Sequence, residues 1–170
     1  MTDAPAPGRP ASGDTEVPVG PAPIRAVLDT NVPIAAHLSR NPHSPTIELI
    51  DRWRAGEFVQ LYSDDTLAEL QEKFIARQVA PDAAAQYVAD LLRLGEYVEV
   101  AAEGVRPVIA ADPDDDLILA CAVAGNATYI VTYDPHFDIL GETYRGIRVL
   151  DGLHFLYAVR GDKPPGNPKP

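Results

Sequence analysis

Acidic side chains occur in this 170-residue sequence where parallel α/β sheets gather their ligands. Asp29 directly follows an apolar run at residues 24–28, and Asp134 comes two residues after a second run at 128–132. The stretch ADPDDDLILA, residues 111–120, adds four aspartates before a third run. Carboxylate oxygens that lie close together are the ligands that Mg²⁺ and Mn²⁺ prefer. The pattern indicates a candidate cation site.

The formal net charge of −11 would ordinarily argue against nucleic acid, which proteins bind by neutralising phosphates with Lys and Arg. Dispersed acids only keep a surface soluble. Gathered acids repel one another by about 4 kcal/mol per contacting pair at an effective dielectric near 20, so a cluster needs a cation. A chain with this net charge can therefore bind a nucleic acid only through a few basic side chains that contact it locally.

Cysteine and histidine usage argues against zinc. Cys121 is the one cysteine, and its place in the apolar run LILACAVA predicts a small buried residue. The four histidines show neither an HExxH motif nor a paired spacing; they are His37, His43, His136 and His154.

Proline, alanine and glycine dominate both ends of the chain. Residues 1–23 are predicted to be a disordered leader and residues 161–170 a disordered tail, which leaves 24–160 as the folded domain. The leader lacks the apolar core of a signal peptide, and no window approaches the roughly 18 apolar residues of a membrane span. We expect a cytoplasmic protein without membrane contact.

From residue 24 onward, strand-like and helix-like segments alternate, which predicts an α/β fold with a parallel sheet covered on both faces. The predicted strands are 24–28, 58–62, 97–100, 128–132 and 147–150. The predicted helices begin near Val32, Ser44, Asp64, Pro81, Asp116 and Asp151. Ligands of such sheets gather at the carboxyl ends of the strands, where Asp29 and Asp134 lie.

Each acid also has a structural interpretation. Asp29 suits the amino-terminal cap of the next helix, and Asp112 and Asp134, each before a proline, suit caps in the same way. Periodicity cannot rank the aspartates of 111–120, because the helix that follows is apolar on every side. On a helical wheel, Glu69 lies opposite the apolar side chains and near the solvated face.

Four segments in order resemble the PIN-domain family, specifically the bacterial toxin components of toxin-antitoxin systems (VapC-like ribonucleases). They are VLDTNV at 27–32, SDDTLAEL at 63–70, DPDDDLILACAVAGNATYIVTYD at 112–134 and IRVLDGLHFLYAV at 147–159. The resemblance covers nearly all of the predicted domain. It implies a three-layer α/β/α sandwich with strand order 3-2-1-4-5, in which the first and fourth strands are neighbours.

The resemblance also implies a set of site residues. The implied catalytic acids are Asp29, Glu69, Asp116 and Asp134, of which Asp29, Asp116 and Asp134 are the metal ligands; Asp112 and Asp115 are reserve candidates. Glu69 would bind through a water or orient that water. Side chains that flank these acids can hydrogen-bond them as a surrounding layer; they are Thr30, Asn31, Ser63 and Thr132.

The function implied is an Mg²⁺- or Mn²⁺-dependent ribonuclease that leaves a 5′-phosphate and a 3′-hydroxyl. Expected RNA-binding side chains are Arg40, Lys73 and Arg77. Weaker candidates are His37, His43 and the pair Arg52 and Arg54 beside Trp53, although Trp53 also suits a core. We also expect a basic antitoxin that inserts an arginine among the carboxylates. A homodimer is a further expectation.

Two other functions compete. An inactive PIN-like binding module has the same fold, although the intact set of acids argues against it. Receiver and phosphatase domains also carry acids at strand ends. Receiver domains require a lysine after a late strand, and phosphatases of this type require a DxD motif at the first strand. This chain has DTN at the first strand and no such lysine. We set this third interpretation aside.

Overall fold

A six-stranded sheet with helices on both faces forms the fold, and the computed structural model describes residues 21–164. The strands are β1 (Arg25–Leu28), β2 (Val59–Tyr62), β3 (Glu96–Tyr97), β4 (Tyr129–Val131), β5 (Thr143–Tyr144) and β6 (Ile147–Leu150). The α-helices are α1 (Asn31–Leu38), α2 (Pro45–Arg54), α3 (Asp64–Ala76), α4 (Pro81–Leu94), α5 (Pro113–Ala124) and α6 (Gly152–Arg160). Two 3₁₀ helices span Ala102–Gly104 and Pro135–Leu140.

The predicted disordered ends, 1–23 and 161–170, fall largely outside the described residues, so their disorder stays a prediction. Within the described range, no helix combines the length and the apolar character that crossing a membrane requires.

The strand order is β3-β2-β1-β4-β6-β5, and all neighbours are parallel except β5 and β6. The predicted order 3-2-1-4-5 is contained in it, because the fifth predicted strand is β6. The sequence did not predict β5, an antiparallel edge strand of two residues. Arg145 and Gly146 connect β5 to β6 with φ values of 49° and 79°, as a two-residue hairpin requires.

The sheet separates two apolar cores. Ala26 and Leu28 of β1 pack into the core that α1, α2, α4 and α6 cover, whereas Val27 packs into the core beneath α5. This alternation follows from the two-residue period of a strand. Cys121 lies fully buried in the second core, as its apolar surroundings predicted. Helix α5 packs on β1 and β4, which brings its amino end near the ends of those strands.

Helix α3 begins at the carboxyl end of β2 through a reciprocal cap. The Ser63 hydroxyl accepts a hydrogen bond from the Thr66 amide at 3.3 Å, and the Thr66 hydroxyl accepts one from the Ser63 amide at 2.8 Å. Asp64 and Asp65 follow this cap and lie in the exposed first turn of the helix.

Candidate metal centre

Asp29 lies at the carboxyl end of β1, beside the end of β4. Leu28 pairs with Val131, and the Asp29 amide donates to the Val131 carbonyl at 2.9 Å. The Asp29 carboxylate accepts hydrogen bonds of 2.7 Å from the Thr132 hydroxyl and from the Thr30 amide. Its side chain is almost completely buried. The fold thus fixes the Asp29 carboxylate at the carboxyl end of a central strand.

Asp134 is held near Asp29 by two side chains that contact both segments. The Thr132 hydroxyl accepts a hydrogen bond from the Asp134 amide at 3.0 Å while it donates to Asp29. The Asn31 amide group donates to Asp29 at 3.3 Å, and its oxygen accepts from the Tyr133 amide at 3.3 Å. Thr132 and Asn31 therefore orient the two acids relative to each other.

Asp115, a reserve candidate in the sequence analysis, supplies the third carboxylate. It lies in the first turn of α5 and is buried. One of its oxygens is within 4.8 Å of carboxylate oxygens of both Asp29 and Asp134. These three acids form the candidate metal centre.

Asp116 points away from this cluster, which corrects its expected place as a metal ligand. Its Oδ1 atom accepts hydrogen bonds from the amides of Val108 at 3.0 Å and Ile109 at 2.8 Å. Successive residues of an α-helix are rotated by about 100°, so adjacent aspartates face different surroundings. Asp115 faces the strand ends, and Asp116 holds the loop that precedes α5.

Asp112 caps α5, as the Asp-Pro pair predicted. Its carboxylate accepts a hydrogen bond from the Asp114 amide at 3.0 Å. A carboxylate oxygen of Asp112 also lies within 4.8 Å of ligand atoms of Asp115 and His136. Asp112 therefore borders the candidate metal centre while it begins the helix.

Glu69 is directed toward the acids, as the resemblance implied and the helical wheel did not. Its side chain is half-buried, and its Oε2 atom is buried without a hydrogen-bond partner among the described residues. Burial, followed by repulsion from Asp29, raises the pKa of Glu69 to about 7. A buried carboxylate oxygen without a donor is unfavourable, so a ligand that contacts it would stabilise this arrangement.

The ionisation of the cluster reflects its crowding. Burial and repulsion from Asp134 raise the pKa of Asp115 to about 6, although its hydrogen bond with His136 opposes the change. Burial also raises the pKa of Asp29, and the Thr132 hydrogen bond opposes it. A divalent cation bound here would offset both the burial and the repulsion. The all-oxygen donor set and the partnerless Glu69 oxygen fit such an ion.

Ser63 does not lie around the carboxylates as expected. Its hydroxyl and amide form the reciprocal cap with Thr66. Its position therefore follows from the start of α3, and its expected contact with the acids is corrected.

The expected RNA-binding side chains are exposed. Arg40 lies in the loop between α1 and α2, Lys73 lies one turn after Glu69 on α3, and Arg77 follows the last turn of that helix. Their exposure leaves them accessible to a phosphate, and their contact with RNA stays a prediction.

Ion pairs engage the weaker basic candidates. Arg52 pairs with Glu48 at 2.9 Å and with Glu57 at 2.7 Å, and Arg54 pairs with Asp90 at 2.9 Å. These arginines are less available to a phosphate than Arg40, Lys73 and Arg77.

Two other candidates, His37 and Trp53, pack against aromatic or apolar side chains. The His37 ring packs edge-on against Phe74 and Tyr87, and its Nδ1 atom lies 2.6 Å from the Pro33 carbonyl. Trp53 is buried in the first core, as its alternative interpretation predicted. His43 is exposed in the loop before α2.

His136 also lies beside the clustered acids, which the sequence does not predict. Its Nδ1 atom lies 3.1 Å from Asp115 Oδ2 and 3.3 Å from Asp134 Oδ1. No metal-binding motif and no paired spacing in the sequence includes this histidine. The available signal was its position two residues after Asp134 in the segment DPHF, because the first residues of a helix lie beside its cap.

An apolar groove of about 740 Å³ lies between α3 and α4. Phe74, Val88 and Leu92 are among its lining residues, together with Ile75, which is 80% exposed. None of the clustered acids lines it. The groove is therefore a surface separate from the candidate metal centre.

The sequence profile of one family, described as PIN domain, matches residues 25–136, which is more than half of the chain. The chain belongs to the PIN domain family. The match includes Asp29, Glu69, Asp115 and Asp134, so all the clustered acids of this PIN domain lie within it.

Solved structures share the fold of this PIN domain. One is VapBC2 from Rickettsia felis bound to a DNA fragment from their promoter, with 18% identity and a TM-score of 0.52, covering 75% of this chain and 98% of that chain. Another is PAE2754 from Pyrobaculum aerophilum, with 16% identity and a TM-score of 0.53, covering 82% and 91%. A comparison with curated proteins gives no match.

Proposed function

We propose that this PIN domain is an endoribonuclease that depends on Mg²⁺ or Mn²⁺. The observation that carries the proposal is the buried, partnerless Oε2 atom of Glu69 beside the cluster of Asp29, Asp115 and Asp134. Asp29, Asp115 and Asp134 lie close together, and neither they nor Glu69 have a neutralising Lys or Arg within hydrogen-bonding distance among the described residues. Family membership adds that PIN domains are generally nucleases.

Each residue has a distinct role in the proposed site. Asp29, Asp115 and Asp134 would hold the cation through their carboxylate oxygens. When bound, the cation would supply Lewis acidity toward the phosphodiester and lower the pKa of an attacking water. Glu69 Oε2 would accept a hydrogen bond from that water and orient it. Thr132 keeps Asp29 and Asp134 in register by its two hydrogen bonds.

Exposed basic side chains would hold the RNA. Lys73 lies one turn from Glu69, and Arg77 continues the same helix, so both can contact phosphates that flank the scissile bond. Arg40 would contact the RNA from the loop after α1. Local contact of this kind suits a chain whose net charge of −11 would otherwise repel a polyanion.

The test is incubation of the purified full chain with single-stranded RNA and Mn²⁺ or Mg²⁺. We expect cleavage that requires the cation, leaves 5′-phosphates and is lost in Asp29→Asn. Asp51→Asn, which alters an exposed acid of α2, is the matched control and should cleave normally. Equal cleavage by all three proteins would reveal a contaminating nuclease. Cation binding without cleavage of any RNA would favour the binding-module alternative.

We further propose that the enzyme is the toxin of a toxin-antitoxin pair in the cytoplasm. VapBC2, which shares the fold, was solved bound to promoter DNA, and the acidic chain suits a basic antitoxin. Induced expression in a bacterial host should arrest growth, and Asp29→Asn should relieve the arrest. Normal growth under wild-type expression would contradict the toxin role. A homodimer is also expected, and the molar mass in solution would test it.

A further inference from the structure

His136 lies against the candidate metal centre, whose three members are all carboxylates. Its Nδ1 atom lies 3.1 Å from Asp115 Oδ2 and 3.3 Å from Asp134 Oδ1. Its backbone amide also donates to Asp134 Oδ1 at 2.9 Å, so backbone and ring meet the same pair of acids. The ring is therefore held beside the acids by its own short helix.

A second set of donor atoms results from this placement. One ligand atom each of Asp112, Asp115 and His136 lie within 4.8 Å of one another, and Asp115 also belongs to the set with Asp29 and Asp134. Three donor atoms that lie this near to one another can surround one cation at the usual ligand distances of roughly 2.0–2.6 Å. Asp115 would then be shared by an all-oxygen set and a set that contains nitrogen.

The identity of the donors determines which cation each set favours. Mg²⁺ strongly prefers oxygen ligands, whereas imidazole suits transition metals and Mn²⁺ binds nitrogen more readily than Mg²⁺ does. A mixed nitrogen and oxygen set therefore discriminates between two ions that carboxylates alone would treat similarly. His136 is also 41% exposed at its side chain, so its ring is not required to fill the core.

We infer that His136 Nδ1 is a metal ligand, and that with Asp112 and Asp115 it forms a mixed nitrogen and oxygen position that favours Mn²⁺ over Mg²⁺. This inference rests on the proposed cation site and adds to it a ligand outside the four acids. Asp112, which caps α5, thereby also couples the start of that helix to the bound ion.

The test uses the full chain and the two metals alone, without RNA. Mn²⁺ and Mg²⁺ are titrated calorimetrically into the wild type, His136→Gln and His154→Gln. The last is the matched control, because His154 Nδ1 lies 2.7 Å from Asp151 Oδ1 in a similar pair that belongs to neither donor set. Pulsed electron paramagnetic resonance of bound Mn²⁺ then detects the ¹⁴N coupling of a coordinated imidazole directly, even in the wild type.

We expect ¹⁴N coupling in the wild type and in His154→Gln, and its loss in His136→Gln. The Mn²⁺ affinity of His136→Gln should fall about tenfold or more, with a smaller change for Mg²⁺. Mn²⁺ binding by the wild type without ¹⁴N coupling would overturn the role of His136 and leave the carboxylate site intact. Absence of any Mn²⁺ binding at millimolar concentration would overturn both.

Discussion

Asp115 and Asp116 are neighbours in the chain, yet their carboxylates serve different parts of the molecule. Asp115 lies within 4.8 Å of the oxygens of Asp29 and Asp134, whereas Asp116 accepts hydrogen bonds from two amides of the preceding loop. Both are buried, so burial alone does not distinguish them. The partners of each carboxylate do, and they lead to opposite expectations for the two residues.

Asp116 should matter for stability. Asp116→Ala would leave the amides of Val108 and Ile109 without their acceptor, at a cost of about 1–3 kcal/mol in the free energy of unfolding. Asp116→Asn keeps an acceptor oxygen and should cost clearly less. Urea unfolding of both variants measures the difference, and equal losses would contradict the assigned contacts.

The metal-free protein should show a pH dependence that Glu69 causes. Its pKa is raised from 4.5 to about 7, so between these values the folded chain holds a proton that the unfolded chain has released. Glu69 therefore destabilises the folded state progressively as the pH rises through this window. The free energy of unfolding of Glu69→Gln minus that of the wild type should increase from pH 4.5 to pH 7 and then level off.

Urea unfolding with a chelator at constant ionic strength measures this difference. The comparison between the two proteins removes the contribution of titrating groups that do not interact with Glu69. A difference that stays constant or decreases over the window would show that Glu69 is not held among the acids. Added cation should reverse the trend, since a bound ion at 100 times its Kd adds about 2.7 kcal/mol.

Thr132 should control cation affinity without being a ligand. Thr132→Val removes the donor to Asp29 and the acceptor for the Asp134 amide, so both acids lose their orientation. We expect Mn²⁺ affinity to fall by about 10- to 100-fold. Thr132→Ser retains the hydroxyl and should bind close to the wild type. If calorimetry finds the two variants equally weak, the hydroxyl is not what orients the acids.

Lys73 should contribute to RNA affinity through a phosphate. In an Asp29→Asn background, which prevents cleavage, Lys73→Ala should reduce the salt dependence of binding to single-stranded RNA by about 0.7 in the slope of log K against log salt. Lys163→Ala, which removes an exposed lysine after α6, is the control. Fluorescence anisotropy at several salt concentrations measures both, and identical slopes would exclude Lys73 from the RNA path.

The sheet and the positions of Asp29 and Asp134 could be predicted from the sequence, because apolar runs mark buried strands and the acids follow them directly. The ranking of Asp115 above Asp116 could not. Helix α5 is apolar on every side, so its periodicity carries no information about which direction faces the strand ends. The loop amides that bind Asp116 become visible only in three dimensions.

Glu69 and His136 show two further limits. A helical wheel divides a helix into buried and solvated faces, and it has no category for a face that borders an acidic cleft. His136 lies beside the acids on a short 3₁₀ helix that has no periodic pattern at all. In both cases the missing information is the direction in which an element crosses the end of the sheet.

A calorimetric titration of Mn²⁺ tests most directly whether Asp29, Asp115 and Asp134 form a divalent-cation site. Asp115→Asn and Asp116→Asn change the same side chain in the same way at adjacent positions. We predict that Asp115→Asn lowers Mn²⁺ affinity by about 100-fold or more, whereas Asp116→Asn stays within about threefold of the wild type. Retained binding in Asp115→Asn, or its loss in Asp116→Asn with the fold intact, would contradict the account.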